Sequence, residues 1–362
     1  MLYHHPFRLQ FKLYTRFPTI STTKTRFAID QVQSNCTGAM VFHSTLSILD
    51  KNLIMSAIPQ ESDQATYSKE YPASSIGSLA KERIQGHIKG TIRGVTSRGI
   101  FIQTHSRFLF FISFGHHPGP LTINVPPAAR KAALELVPGE QVDISSGTLY
   151  LNGDHLVIAT RGLSPWQPRI KSSSAFPASE RINRLTSAAG IVTGKTEFNG
   201  LSCVLPFLLP ALEQKKPEQL PHGYKNMLNL VQELNDIQST APIIELLGSG
   251  SGLTPSGDDV IIGLLLAINR WQNITAVRGN LDHFNQQIIS AAYQKTTTLS
   301  ANLIDCASRG LADRRLVDAL DWLVSETGND VRVIDELLTW GSSSGADAFV
   351  GFAAALSPGS KS

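Results

Sequence analysis

Hydrophobic periodicity divides the chain into two halves of different texture. Residues 38 to 58 carry two apolar runs, GAMVFHSTLSIL and NLIMSAI, joined by the turn-like Asp50-Lys51-Asn52, which predicts two strands. Residues 59 to 82 are polar, hold Pro59 and Pro72, and read as a surface connection. Beyond them HIKGTIRGVTSRGIFIQ and RFLFFISF alternate apolar and polar positions with glycine punctuation, the pattern of short antiparallel strands with bulges. GPLTINV and EQVDISSGTLYLNGDHLVIA continue it, and Asn152-Gly153-Asp154 is a hairpin signal. This half is expected to be β-rich, a barrel or a sandwich.

The stretch SPWQPRIKSSSAFP, Ser164 to Pro177, holds three prolines and three consecutive serines, so a linker is expected there. After it the period changes from two to about 3.6. Helical patterns recur near residues 179–190, 200–214, 223–238, 258–273, 280–294, 298–311, 314–326, 330–339 and 346–356, while IIELLG admits a strand. The expected architecture is α+β: a β-rich domain over 30–165, a linker over 166–178, and a mostly helical domain over 179–358 with glycine-rich loops.

Composition narrows the functional classes. At 362 residues, 42% hydrophobic and 17% charged, the chain is long and apolar enough for two ordinary cores. A net charge of +3, from 32 Lys+Arg against 29 Asp+Glu, does not argue for nucleic acid as a partner. Cys36, Cys203 and Cys306 are widely spaced and form no C-x-x-C, so neither a disulfide framework nor a thiolate zinc site is indicated, and a reduced cytoplasmic setting is expected. Residues 1–29 lack acidic side chains, and Arg8, Lys12, Arg16, Lys24 and Arg26 interrupt their apolar positions, which breaks any signal-peptide core or membrane span. An ill-ordered basic extension is expected there, and no membrane partner.

Candidate chemistry concentrates in a motif that occurs twice. Ser256-Gly-Asp-Asp-Val-Ile-Ile-Gly263 aligns with Ser344-Gly-Ala-Asp-Ala-Phe-Val-Gly351, and a small-residue tract, GSGSG or GSSSG, precedes each copy. In both, Ser and Asp stand three apart before an apolar helix, the spacing of a capping box, which offers Asp259 and Asp347 a structural role beside a catalytic one. Gly263 with Ala267, and Gly351 with Ala355, make small-residue stripes along which the two helices are expected to pack.

Capping leaves Asp258 unexplained, because the second copy has Ala346 there. A glycine loop feeding a helix N-terminus suits an anion, through its amides and the helix dipole. Asp258 would repel a bare anion, so it is the preferred functional residue, placed to orient an amide or ammonium group or to hold Mg2+; Asp259 beside it is the second catalytic candidate. Gly250, Gly252 and Gly257 would let the backbone curl around the anion, Thr254 and Ser256 would donate hydroxyls, and Ser343, Ser344 and Asp347 would form the opposite wall. In TTTLSANLIDCASRG, Thr298 or Ser300 reads as an N-cap, with a pocket role for these hydroxyls and the Asn302 amide as the alternative. Nucleotide and hydrolase templates do not fit: Leu253 stands where a P-loop needs lysine, no βαβ unit surrounds the glycines, and a G-x-S-x-G elbow would lack a partner histidine.

GLTPSGDD, the later GSSSGAD, the intervening T-x-x-S-A-N-L-I with A-S-R-G, and the earlier VFHSTLSILDKNLIMSAIP and GPLTINVP resemble the AllH-like family from about residue 36 to 356. That resemblance implies a cytoplasmic subunit of a bacterial oxamate carbamoyltransferase. It would work with two other subunits on small anionic substrates, interconverting oxalurate plus phosphate with oxamate plus carbamoyl phosphate. A non-catalytic binding or assembly subunit, and a stand-alone acyl-phosphate- or nucleotide-binding protein, are the other classes open to the sequence.

Overall fold

The structure is a computed structural model that describes residues 70–104, 107–169, 174–196, 200–209, 212, 223–233, 239–275, 280–325 and 331–357, all within the unit Thr66–Ser362. The strands expected over 38–58 and the basic extension lie outside the described residues.

Ten strands form one curled sheet: β1 (Glu70–Pro72), β2 (Ser75–Gly77), β3 (His87–Thr96), β4 (Gly99–Thr104), β5 (Leu109–Ser113), β6 (Thr122–Asn124), β7 (Gln141–Ser145), β8 (Thr148–Leu151), β9 (Leu156–Ala159) and β10 (Pro165–Trp166). Their order is β1-β9-β8-β7-β3-β4-β5-β6-β2-β10. β1 and β2 are consecutive in sequence yet pair near opposite ends of that order, so Ala73 and Ser74, bonded to Ala159 and Asn124, draw the ends toward each other into a half-barrel. A bulge interrupts β3 between Ile92 and Gly94, as the glycine punctuation predicts.

Two expectations are corrected here. The described part of the polar 59–82 stretch is not a surface connection. It supplies β1, β2 and the short helix α1 (Ser78–Arg83), because Ala73, Ile76, Ala80 and Ile84 enter the sheet's core. Pro72 is tolerated because β1 is the edge strand and pairs on one side alone. Nor are all the strands antiparallel: β1–β9, β5–β6 and β2–β10 are parallel.

A second core is built by helices: α2 (Arg130–Leu134) stays with the sheet, and α3 (Ala178–Thr196) opens the helical half. A 3-10 turn (Gly200–Val204) leads into α4 (Leu205–Leu208), then α5 (Tyr224–Glu233), α6 (Ala241–Leu246), α7 (Ser256–Arg270), α8 (Leu281–Lys295), α9 (Thr298–Ala307), α10 (Arg314–Val324), α11 (Arg332–Leu338) and α12 (Ser344–Leu356). IIELLG is helical rather than a strand; Pro242 occupies the first turn of α6, where its missing N–H costs nothing. Every residue of α7 from Gly257 to Ile268 and all of α12 are buried, so these two helices form the centre of this half. The far end of α7 is fixed to α10 by the buried Asp321 carboxylate, which accepts from Arg270 Nε (2.7 Å) and Nη2 (2.6 Å) and from Trp271 Nε1 (3.0 Å).

Candidate functional site

The two motif copies face each other across a pseudo-twofold arrangement. A Cβ on Gly263 would fall 2.0 Å from the Ala348 carbonyl oxygen, and one on Gly351 would fall 2.1 Å from that of Val260. Gly263 and Gly351 are equivalent in the two copies, and so are Val260 and Ala348; each glycine therefore receives the other copy's carbonyl. Only hydrogen as a side chain permits this approach, which bears out the expected packing of the small-residue faces.

The close crossing brings the N-termini of α7 and α12 together. Thr254 Oγ1 lies 3.2 Å from Ser344 Oγ and donates to Asp259 Oδ2 at 3.3 Å. The Ser344 hydroxyl acts on Asp259, and reciprocally the Ser256 hydroxyl acts on Asp347. Serine of one copy thus serves aspartate of the other.

This replaces the expected capping boxes. The N-caps are Pro255 and Ser343, and neither makes a side-chain cap bond. Ser256 and Ser344 are the first helical residues and Asp259 and Asp347 the fourth. A capping box needs the cap and third positions, and the one-residue shift turns both carboxylates away from their own amides toward the partner helix. Asp347 Oδ1 instead accepts the Leu201 amide at 2.7 Å, across a contact with Gly200 too tight for a Cβ. Asp259 Oδ1 and Asp347 Oδ2 have no hydrogen-bond partner among the described residues. Both aspartates are fully buried. Burial is the main cause that pushes Asp347 up to about 6 against the opposing Leu201 amide and Ser256 and Ser343 hydroxyls, and it holds Asp259 well above the usual carboxylate range.

Asp258 is equally buried, and both its oxygens are engaged. Oδ1 accepts the Gly248 amide at 2.8 Å and Oδ2 accepts the Thr296 hydroxyl. Burial raises its pKa while those two donors lower it. The carboxylate ties the first turn of the glycine loop to the segment preceding α9, a brace that the second copy, with Ala346, does without. Gly248, Gly250 and Gly252 adopt positive φ of 73°, 122° and 101°. A Cβ on Gly250 would sit 2.7 Å from the Ser256 amide nitrogen, so the loop folds back on the helix start. The Gly257 amide donates to Ser249 O, and the Asp258 and Asp259 amides to Pro255 O. Residues Gly250 to Leu253 are exposed at the tip.

The model of the family described as oxamate carbamoyltransferase subunit AllH matches residues 246–356, which contain both motifs, both glycine tracts and the α9 segment between them. That match supports an AllH-like assignment. No curated protein and no solved structure matches the chain.

Within the AllH-like segment, Asn302 lies away from the glycine loops. Its Oδ1 accepts the Leu109 amide at 3.1 Å, and its Nδ2 donates to Thr298 O at 2.8 Å and Arg107 O at 3.3 Å, joining α9 to β5. The cap of α9 is Thr297 rather than Thr298 or Ser300: it accepts the Ser300 amide at 3.1 Å, and its hydroxyl also donates to Leu253 O at 2.7 Å. Ser343 is half-buried and Ser344 buried at the start of α12, where the Ser344 hydroxyl meets that of Thr254. Gly200 and Leu201, outside the AllH-like segment, meet Asp347 from a third side that the helical pattern expected over 200–214 does not reveal; Asn199-Gly200 is the turn signal that marks it. Cys203 and Cys306 are buried, and burial raises both thiols, Cys203 to about 11, which keeps them protonated and inert. No described helix is long and apolar enough to cross a membrane.

Proposed function

We propose that this chain is a subunit of an oxamate carbamoyltransferase-like enzyme that interconverts oxalurate plus phosphate with oxamate plus carbamoyl phosphate. The observation that carries the reading is the family match over 246–356, which spans the paired loops as one block. In the phosphorolytic direction a phosphate oxygen attacks the carbamoyl carbon of oxalurate, the C–N bond breaks, and the departing oxamate nitrogen takes up a proton. Such a step requires donors around the phosphate and around the carbonyl oxygen that gains charge. The exposed backbone of Gly250 to Leu253 and the hydroxyls of Thr254 and Ser256 are the groups of this chain suited to that task, and Asp258 holds the loop that presents them.

A second reading is a ligand-binding or assembly subunit of the same complex. It draws support from the first-turn amides of α7, which are already engaged by Ser249 and Pro255. Reconstitution with the partner subunits separates the two. Phosphate-dependent consumption of oxalurate, lost in Ser256→Ala combined with Asp258→Ala while the complex still assembles, supports the transfer role. Full activity in that variant refutes it and leaves the assembly reading.

A further inference from the structure

Four side-chain atoms among the described residues are buried without a hydrogen-bond partner: two are the hydroxyls of Ser78 and Ser300, and two are carboxylate oxygens, Asp259 Oδ1 and Asp347 Oδ2. A hydroxyl can rotate toward a weak acceptor. A carboxylate oxygen buried without a partner is far more costly, so its presence calls for a counter-group. Both orphan oxygens belong to the cross-paired aspartates at the α7–α12 crossing, equivalent positions of the repeated motif, and the Asp347 charge acts directly on Asp259.

We propose that Asp259 and Asp347, with the hydroxyls of Thr254, Ser256, Ser343 and Ser344, form a binding site for a hard divalent cation such as Mg2+ or Ca2+. The donor set is entirely oxygen, which selects hard cations over zinc or copper. Two carboxylates supply the charge that a divalent ion balances and a monovalent ion does not. Asp258 is not part of the site, since Gly248 and Thr296 take both its oxygens. The ion site shares the Thr254 and Ser256 hydroxyls with the transfer reading but does not rest on that reaction: an ion here would join α7 to α12 whatever the complex does.

The test uses the purified full chain, stripped with chelator and titrated with Mn2+ while the free-ion EPR signal is followed, with competition by Mg2+, Ca2+, Na+ and K+. One Mn2+ per chain is expected, displaced by Mg2+ or Ca2+, and weakened about ten-fold or more in Asp259→Asn and in Asp347→Asn. The exposed-carboxylate control Asp335→Asn binds as the wild type does. The double variant Ser256→Ala with Ser344→Ala, which keeps the charges, is expected to weaken binding as well and serves if an aspartate variant fails to fold. An unchanged free-Mn2+ signal with wild type, or wild-type affinity in Asp347→Asn or in the double serine variant, overturns the site. Displacement by Na+ or K+ as effective as by Mg2+ overturns the divalent assignment. None of these readouts involves carbamoyl transfer, so failure of the ion site and failure of the enzymatic reading are distinguishable.

Discussion

The acidic residues of the two motif copies have two different physical fates although all are buried. Asp258 is buried and fully paired, so Asp258→Ala leaves the Gly248 amide and the Thr296 hydroxyl without their acceptor, a loss of about 1–3 kcal/mol. Chemical denaturation should show that loss, and Thr296→Val should show a smaller one; an unchanged midpoint for Asp258→Ala would mean the brace contributes nothing. Asp347 is buried and only half paired, and its carboxyl rises from 3.8 to about 6. The folded state holds a proton that the unfolded state has released, so this stabilising term is complete below about pH 4 and is lost as pH rises through about 6. The difference is on the order of 3 kcal/mol. In chelator-containing buffer, the stability of wild type minus that of Asp347→Asn should therefore fall between pH 4 and pH 7; a flat difference would show that the carboxyl carries the same proton in both states. The Asp258 and Asp259 carboxylates are visible in the sequence as a pair. Their separate environments are not, because Pro255 shifts the helix start by one residue and thereby chooses which carboxylate faces the partner helix.

Among the elements, α7 and α12 show what patterning conveys and what it omits. The repeated S-G-x-D motif and the small-residue stripes are read directly from residue types, and the predicted packing of the two helices follows, since a glycine and an alanine four apart leave one face flat. Local signals fail where tertiary context decides: the polar segment containing Pro72 becomes an edge strand, and IIELLG becomes a helix because its apolar face is buried against α7 and α8. The contact at the crossing inverts an ordinary rule. Alanine in place of a helix-interior glycine normally stabilises by about 1 kcal/mol. At Gly263 and Gly351 the added methyl meets backbone carbonyls at 2.0 and 2.1 Å, which no rotamer change relieves. Both Gly263→Ala and Gly351→Ala should destabilise, by roughly 1–3 kcal/mol or more. The double substitution should cost less than the sum of the singles, because the helices separate once. Melting curves that show either single variant more stable than wild type would contradict the close crossing.

Across the whole molecule, the sheet and the helices keep separate hydrophobic cores and meet through polar joints. Apolar alternation reveals each core on its own. The joints are long-range pairings between residues about two hundred positions apart, and no local pattern encodes them. Asn302 illustrates this, since a buried amide beside a helix start reads equally well as a pocket group or as a bridge. It is the bridge to Leu109, and the Arg314 amide donating to Pro118 O at 2.9 Å is another. Asn302→Ala removes the acceptor of a buried amide at the sheet's contact with α9, which costs about 1–3 kcal/mol. That cost falls first on local opening of the joint, because the α7–α12 crossing has its own contacts and none of them passes through Asn302. Hydrogen exchange on the full chain should therefore show faster exchange across Leu109–Ser113 in Asn302→Ala, with Val260–Leu266 as protected as in wild type. Equal loss of protection in both segments would mean that sheet and helices open as a single cooperative unit, and that the Asn302 bridge adds to global stability alone.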